Sequence, residues 1–551
     1  MTSQKKSLAL LEAAVVAAAA SAIVLFLVLP MLPIVMQDEL VYRWQSVYLG
    51  FEELDFPAYT LAVVSRFAEA NAESWYVVIK LINALAAGLA TGVLYWSLRR
   101  LVPLWITVLS AASFLLVPAM FQASFYMPDM LASASLLSAI SLLLVGVSES
   151  RSPRSPIWMV AALPLALALL SKPHALFAVF GVLTFALAHF LGSRKFSPAL
   201  ITVALAMMGR LLVGFMIAGP AGFNLIGNNY SSSLFAIQQE LLPSTELAQG
   251  LHGSISNAIP ADSQNFLLSF GWEFAQLFAV FGLVSLGLII PILTRVASSQ
   301  GLLLLGSVLL ATIAGVAAFE VLVGARGDDH SGRILTRHFE YLLPLVIGLG
   351  LHELRKRGIL GRQAVLVHGL ALVAILGFGS YLLVTLPRYQ VSDGVMVLLA
   401  GFWSNAYVWS LVALSVLLWL ALIFKPEWPA VVVVVLFLGA LGVFANEART
   451  SFSTETPNHT LAKAMAASGI LEGRELVIVT DSKKISELFR FYNLSASFTQ
   501  RVFPSDSIVD GSKFEATDAI LVPMGHIQLQ TNCYLMELDG FVYFDCANMG
   551  R

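Results

Sequence analysis

One pattern repeats along most of the chain: a long, almost uninterrupted apolar run, then a short polar or charged segment, then another apolar run. A bilayer core about 30 Å thick takes about 20 residues of apolar helix to cross, so each run predicts a membrane-spanning helix. The pattern predicts about thirteen, over 8–35, 75–98, 102–121, 130–147, 157–171, 175–192, 199–218, 273–294, 301–323, 341–354, 364–386, 407–424 and 429–445. The pattern stops near Asn446. Beyond it 22 of 106 residues are charged, close to the soluble average, which predicts a separate globular domain over 446–551. There Glu475–Thr480 and Asp518–Val522 read as buried strands and Lys483–Tyr492 as an apolar-spaced helix, so the expected domain is a small α/β sandwich. The segment from Cys533 to Cys546 has Asp539-Gly540 where a two-residue hairpin turn belongs. That register sets the two cysteines opposite each other and predicts a disulfide.

Composition sharpens this picture. The 551 residues are 58% hydrophobic and 12% charged, with mean hydropathy +0.81, which excludes a single soluble domain. The formal charge of −2 gives no reason to expect a nucleic-acid partner. The two cysteines lie far from any His cluster and do not form a zinc motif.

Lys and Arg set the expected orientation, because positive charges flanking a span stay on the cytoplasmic side. Lys5-Lys6, Arg99-Arg100, Arg151 with Arg154, Arg194-Lys195, Arg295, Arg355–Arg357 with Arg362, and Lys425 mark alternate connections. The N-terminus is then cytoplasmic, and an odd number of spans puts the C-terminal domain outside, in the periplasm of a bacterial inner membrane. Ala20-Ser21-Ala22 resembles a signal-peptide cleavage site, but the apolar run continues past it, which favours a retained helix.

The candidate chemistry lies in the outward connections, where a charge held at the membrane needs a partner or a task. Asp38-Glu39 directly follow the first span, in a loop whose Trp44, Tyr48 and Phe51 predict an interfacial helix. Pro128-Asp129 opens the fourth span, and Ser-Lys172-Pro-His174 breaks a long apolar stretch between the fifth and sixth. Arg210 sits inside the seventh. Residues 219–272 form a long polar connection suited to a lid or acceptor loop, with Asn224, Asn228, Asn229, Tyr230 and His252. The segment 324–340 is rich in charge where the positive-inside rule expects little Arg: Arg326, Asp328, Asp329, His330, Arg333, Arg337, His338 and Glu340. Arg333 and Arg337 share a face if helical, and paired Arg forks suit a phosphate. Each feature also has a plainer reading: a polar span edge, a helix cap, a snorkelling lysine, a solvated ion-paired loop.

Taken together, Asp38-Glu39 after the first span, Pro128-Asp129, Leu169-Leu-Ser-Lys-Pro-His174 and Arg337-His-Phe-Glu-Tyr-Leu-Leu-Pro344 resemble the GT-C superfamily of polytopic glycosyltransferases. The closer similarity is to its family 39-like members, which include protein O-mannosyltransferases and the lipid A aminoarabinose transferase. The resemblance implies a mostly α, polytopic helical membrane bundle of GT-C type with a small C-terminal α/β periplasmic domain. It implies transfer of a sugar from a polyprenyl-phosphate or polyprenyl-diphosphate carrier to a glycan, lipid or protein acceptor on the outer face. In that chemistry Asp38 is the expected general base, with Glu39 or Asp129 positioning the acceptor. Lys172, Arg333 and Arg337, with His174 and Arg210, are expected to stabilise the lipid phosphate, and Asp328, Asp329, His330 and His338 are further loop candidates. The acids leave room for a divalent metal, though no ligand spacing compels one. The competing classes are a transporter or lipid flippase, with Arg210 lining its pathway, an O-antigen-ligase-like enzyme using a diphosphate-linked donor, and a structural or receptor-like membrane protein.

Overall fold

The computed structural model describes residues 3–31, 42–43, 45–47, 49–54, 57–69, 75–119, 122–226, 263–324, 335–356, 362–385, 395–423 and 427–453, and the strands 475–479, 499–503, 519–523, 534–538 and 541–545. The chain divides into two compact units, Met1–Pro30 with Gly50–Arg449, and Met31–Leu49 with Thr450–Arg551.

The first unit is helical. In chain order its helices are α1 (Ser3–Val28), α2 (Tyr59–Glu69), α3 (Trp75–Leu101), α4 (Leu104–Phe114), α5 (Asp129–Ser148), α6 (Ile157–Ser171), α7 (Ala175–Ser193) and α8 (Ala199–Ala218). There follow α9 (Ser263–Val284), α10 (Ile289–Leu293), α11 (Gln300–Gly324), α12 (Leu343–Lys356), α13 (Arg362–Thr385), α14 (Val395–Ile423) and α15 (Glu427–Ser453). Each apolar run of the sequence holds a helix. Among the described residues eight are long and apolar enough to cross a membrane, and Leu104–Phe114, Ile157–Ser171, Asn405–Leu420 and Val431–Val443 are shorter apolar helices. The protein is therefore an integral membrane protein.

Proline punctuates this bundle. Pro103, Pro128, Pro156 and Pro198 stand immediately before α4, α5, α6 and α8, where a fixed φ suits helix entry and the missing N–H removes no intrahelical bond. Without a hydrophobic drive between helices in lipid, close backbone approach supplies the packing. Gly92 on α3 shows it: an added Cβ would meet the Ala13 carbonyl and the Ala17 Cβ of α1, each at 2.8 Å. Helix α5 is the centre. Every residue from Asp129 to Val147 is buried, between α3, α6 and α11.

The eighth run departs from expectation. Its helix starts at Ser263 rather than near 273 and stops at Val284, because Leu286 and Gly287 both take left-handed backbone angles (φ 54° and 72°). The short α10 follows. The last ten residues of the expected polar connection 219–272 are thus helix, and its first five a 3-10 turn, Gly219–Phe223; Asn228, Asn229, Tyr230 and His252 lie outside the described residues.

Among the described residues of the second unit five strands form one sheet: β1 (Glu475–Val479), β2 (Thr499–Phe503), β3 (Ala519–Pro523), β4 (Tyr534–Leu538) and β5 (Phe541–Asp545), in the order β2-β1-β3-β5-β4. β1 pairs in parallel with β2 and β3, and β5 antiparallel with β3 and β4. Both expected strands are present; β2 was not anticipated. β4 and β5 pair Tyr534 with Asp545 and Leu538 with Phe541, the register of a two-residue Asp539-Gly540 loop. Cys533 and Cys546 are the residues of the expected disulfide. Both lie outside the described residues, as does the expected helix 483–492.

Candidate functional site

The site is assembled at the end of the bundle that carries the start of α5, the α6–α7 turn and the segment entering α12. Asp129 is the first residue of α5 and 3% exposed. The segment before it is held from α3: the Asn83 amide donates to the carbonyls of Ala123 and Phe125, both at 3.3 Å, and the Tyr76 hydroxyl to that of Ser124. Those bonds satisfy buried carbonyls of a non-helical stretch and fix where the acid emerges.

The α6–α7 turn is as short as Pro173 requires. Lys172 adopts an extended backbone (φ −156°, ψ 132°) and α7 restarts at Ala175. The lysine turns inward, not toward a lipid surface: it is 5% exposed, and its Nζ lies 2.5 Å from Asp129 Oδ1. Arg337 reaches the same oxygen, with Nε at 3.9 Å. Two cations from distant parts of the chain therefore converge on one buried carboxylate. The other oxygen, Asp129 Oδ2, accepts no hydrogen bond among the described residues.

Next to this ion cluster His174 and His338 stack, with ring centroids 4.1 Å apart and planes within 5°. Phe319 sets its edge against both rings, at 4.6 and 6.5 Å, and Phe177 against His174 at 5.6 Å. Burial, then Lys172 and Arg337, hold the His174 imidazole well below the usual histidine range, against the opposing pull of Asp129. His174 is accordingly a neutral ring. It can donate or accept one hydrogen bond to an oxygen, but it does not add a third positive charge as expected from sequence.

Arg337 and His338 lie in the first of two successive 3-10 turns, Thr336–His338 and Glu340–Leu342. The Leu335 N–H donates to Glu320 Oε1 on α11 at 3.3 Å, and the Thr336 hydroxyl to Glu340 Oε1 at 2.6 Å. Phe339 is fully buried against Phe281 of α9.

Arg210 is 0% exposed, and its guanidinium is used by backbone. Nε donates to the Leu169 carbonyl at 3.2 Å, one terminal nitrogen to that of Gly222 at 2.8 Å and the other to that of Asn224 at 3.0 Å, while Tyr59 of α2 lies under the cation. Gly214 makes room for this: a Cβ there would meet the Gly222 carbonyl at 2.6 Å. With three carbonyls engaged, Arg210 ties the end of α6 to the start of the 219–226 segment. Three of its five N–H groups are engaged in this way, which gives Arg210 an anchoring role between these segments.

Asp129, Lys172, His174, Arg337 and His338 are thus brought together, and Arg210 stands apart with its own partners. Asp38, Glu39, Asp328, Asp329, His330 and Arg333 lie outside the described residues. Sequence reasoning passed over Glu320, Thr336 and Lys80. The signal for two of them was present, since Glu320 and Lys80 are charges inside apolar spans. Lys80 donates to the Leu29 carbonyl at 3.0 Å, closing the C-terminal end of α1, where a cation is favoured. Among the described residues no three His, Cys, Asp or Glu side chains are grouped to hold a metal.

No protein-family model and no curated protein matches the chain. Solved structures do. The crystal structure of ArnT from Cupriavidus metallidurans bound to undecaprenyl phosphate matches with TM-score 0.52 at 13% identity, over 98% of this chain and 99% of that one. The archaeal oligosaccharyltransferase AglB from Archaeoglobus fulgidus, in complex with an inhibitory peptide and a dolichol-phosphate, gives TM-score 0.43 at 12% identity, over 87% of this chain and 63% of that one. The Archaeoglobus fulgidus oligosaccharyltransferase tethered with an acceptor peptide containing the NVT sequon gives 0.46 at 12%, over 89% and 64%. The end-to-end likeness to ArnT gives this chain the GT-C fold.

Proposed function

We propose that the protein is a GT-C glycosyltransferase that moves a sugar from a polyprenyl-phosphate carrier to an acceptor on the periplasmic face of a bacterial inner membrane. The observation that carries the reading is the convergence of Lys172 and Arg337 on buried Asp129 at one end of the bundle, in a fold shared along its whole length with a protein whose structure holds undecaprenyl phosphate. A transporter would need a pathway, and Arg210, its best intramembrane candidate, is occupied by backbone carbonyls.

In the reaction an acceptor hydroxyl or amine attacks the anomeric carbon as the bond from that carbon to the phosphate oxygen breaks. The acceptor proton passes to a carboxylate, for which Asp38 is our choice with Glu39 beside it. The departing polyprenyl phosphate gains negative charge, which Lys172 and Arg337 meet in a site of low dielectric, where Arg333 adds a further cation. Asp129 keeps the two cations oriented and leaves Oδ2 to accept from a hydroxyl of donor or acceptor. His174, neutral, donates to a phosphate oxygen. Asp328, Asp329 and His330 share the stretch of sequence that leads to Arg333, His338 backs the His174 ring, and the C-terminal domain would face the periplasm and recognise the acceptor.

The test is release of free polyprenyl phosphate from a panel of polyprenyl-phosphate sugars by the purified protein, with membrane extract as acceptor. Release by wild type, abolished in Asp38→Asn while the donor still binds, is the expected result. Vesicle uptake of the donor without covalent change would establish transport instead.

A further inference from the structure

Arg337 is held from outside the ion cluster. It sits in a segment with no regular helix of its own, which short 3-10 turns alone would leave poorly fixed, and which follows the connection 325–334. Two buried carboxyls fasten that segment at its start. Glu320, 6% exposed and one turn from the end of α11, accepts the Leu335 N–H; Glu340, 1% exposed, accepts the Thr336 hydroxyl. Leu335 and Thr336 are themselves 2% exposed, so neither donor has bulk water as an alternative. Arg337 is the next residue. From these placements we infer that Glu320, with the Thr336–Glu340 bond, is a positioning element that staples the chain at Leu335 and so sets Arg337 and His338 at the site.

Glu320 touches neither Asp129 nor the reacting phosphate; its effect runs through Arg337. An amide at position 320 can replace the acceptor for Leu335 N–H, whereas an aliphatic side chain cannot. The inference rests on the transferase reading for its catalytic consequence but not for its geometry.

The experiment compares Glu320→Gln, Glu320→Leu, Thr336→Val, Arg337→Ala and the Glu320→Leu/Arg337→Ala double variant. Glu320→Leu is expected to lower kcat/KM for the polyprenyl-phosphate sugar on the order of a hundredfold, as misplacing a charge-stabilising group does. Glu320→Gln stays near wild type, Thr336→Val loses activity without loss of fold, and the double variant is no worse than Arg337→Ala alone, because the two act as one unit. Effects that add in full, or a Glu320→Leu variant with wild-type kinetics, would overturn the inference. Hydrogen exchange of the peptide bearing the Leu335 amide reads the geometry without turnover: protection in wild type and Glu320→Gln, lost in Glu320→Leu. Exchange indifferent to Glu320 overturns the staple. Exchange as stated in a protein that transfers no sugar would instead sink the transferase reading and leave the staple standing.

Discussion

Asp129→Asn isolates the electrostatics of the site, because it changes charge and leaves shape. In the wild type one carboxylate oxygen faces Lys172 Nζ at 2.5 Å and Arg337 Nε at 3.9 Å, with all three side chains largely out of water. A unit charge pair near 4 Å is worth about 4 kcal/mol at an effective dielectric of about 20, and removing one partner of a buried pair costs about 3–5 kcal/mol. Asn still accepts a hydrogen bond from Lys172, which recovers roughly 1.5–3 kcal/mol. The remaining loss, about 2 kcal/mol, lowers the melting temperature of a chain this long by about 2 °C.

The informative part is what a lipid phosphate then does. With the internal counter-ion gone, an incoming phosphate is the anion the two cations share, so its affinity rises. Ligand at about 100 times its dissociation constant adds about 2.7 kcal/mol to stability, enough to offset the substitution. Thermal unfolding followed by tryptophan fluorescence, with and without undecaprenyl phosphate, should therefore show a larger lipid-induced shift in Asp129→Asn than in wild type. Lys172→Met breaks the same pair but must lose the shift. An equal or smaller shift in Asp129→Asn, or the same response in both variants, would refute the proposal that these cations hold the phosphate.

Two further predictions concern the surroundings of the site. Arg210→Met strands the buried carbonyls of Leu169 and Gly222, each costing about 1–3 kcal/mol, frees the half-buried one of Asn224, and should open 222–226 to limited proteolysis; Arg210→Lys should fall between it and wild type, and a variant with wild-type melting and cleavage would sink the anchoring role. His174 has a native value below its unfolded one, so the unfolded chain takes up a proton first as pH falls. Its stability contribution is full above about pH 6.5 and declines below that toward the native value. His174→Gln should flatten the acid side of the stability profile, and an unchanged slope would show that another group governs it.

The helical plan was legible because lipid leaves the backbone one solution within a span, a hydrogen-bonded helix, and apolar runs advertise it. The eighth run misled at its start because Ser263, Gln264, Asn265 and Glu273 make its first turns polar while Phe266, Phe270, Phe274 and Phe278 keep one apolar stripe. Nothing in the composition of Leu286-Gly287 marks the break beyond the glycine. Asp129, Lys172 and Arg337 were legible singly, as charges where an apolar stretch begins or ends. Their convergence was not, since the pair 129–172 is a tertiary contact between different helix junctions. Arg210 shows the limit most clearly: its burial followed from its place in a span, but its partners are carbonyls of Leu169, Gly222 and Asn224, and a carbonyl carries no letter in a sequence.

The same arrangement explains why the proposed chemistry belongs at this end of the bundle. Helix α5 is surrounded on all sides, so a charge at its first residue has protein, not lipid or bulk water, as its dielectric. A buried ion pair gains little net stability over an apolar pair of equal size, and its retention makes physical sense where the charges have a task. Each participant is also fixed by a neighbour that does no chemistry: Asn83 and Tyr76 hold the chain before Asp129, Pro173 shortens the turn that presents Lys172, and Glu320 fastens the segment that presents Arg337. Cations that are already oriented do not have to reorganise when charge develops on a departing phosphate, and that absence of reorganisation is where electrostatic catalysis obtains most of its advantage. On the proposed function, the stability given up in burying Lys172 and Arg337 around one carboxylate is the counterpart of the rate gained when a second anion forms beside them.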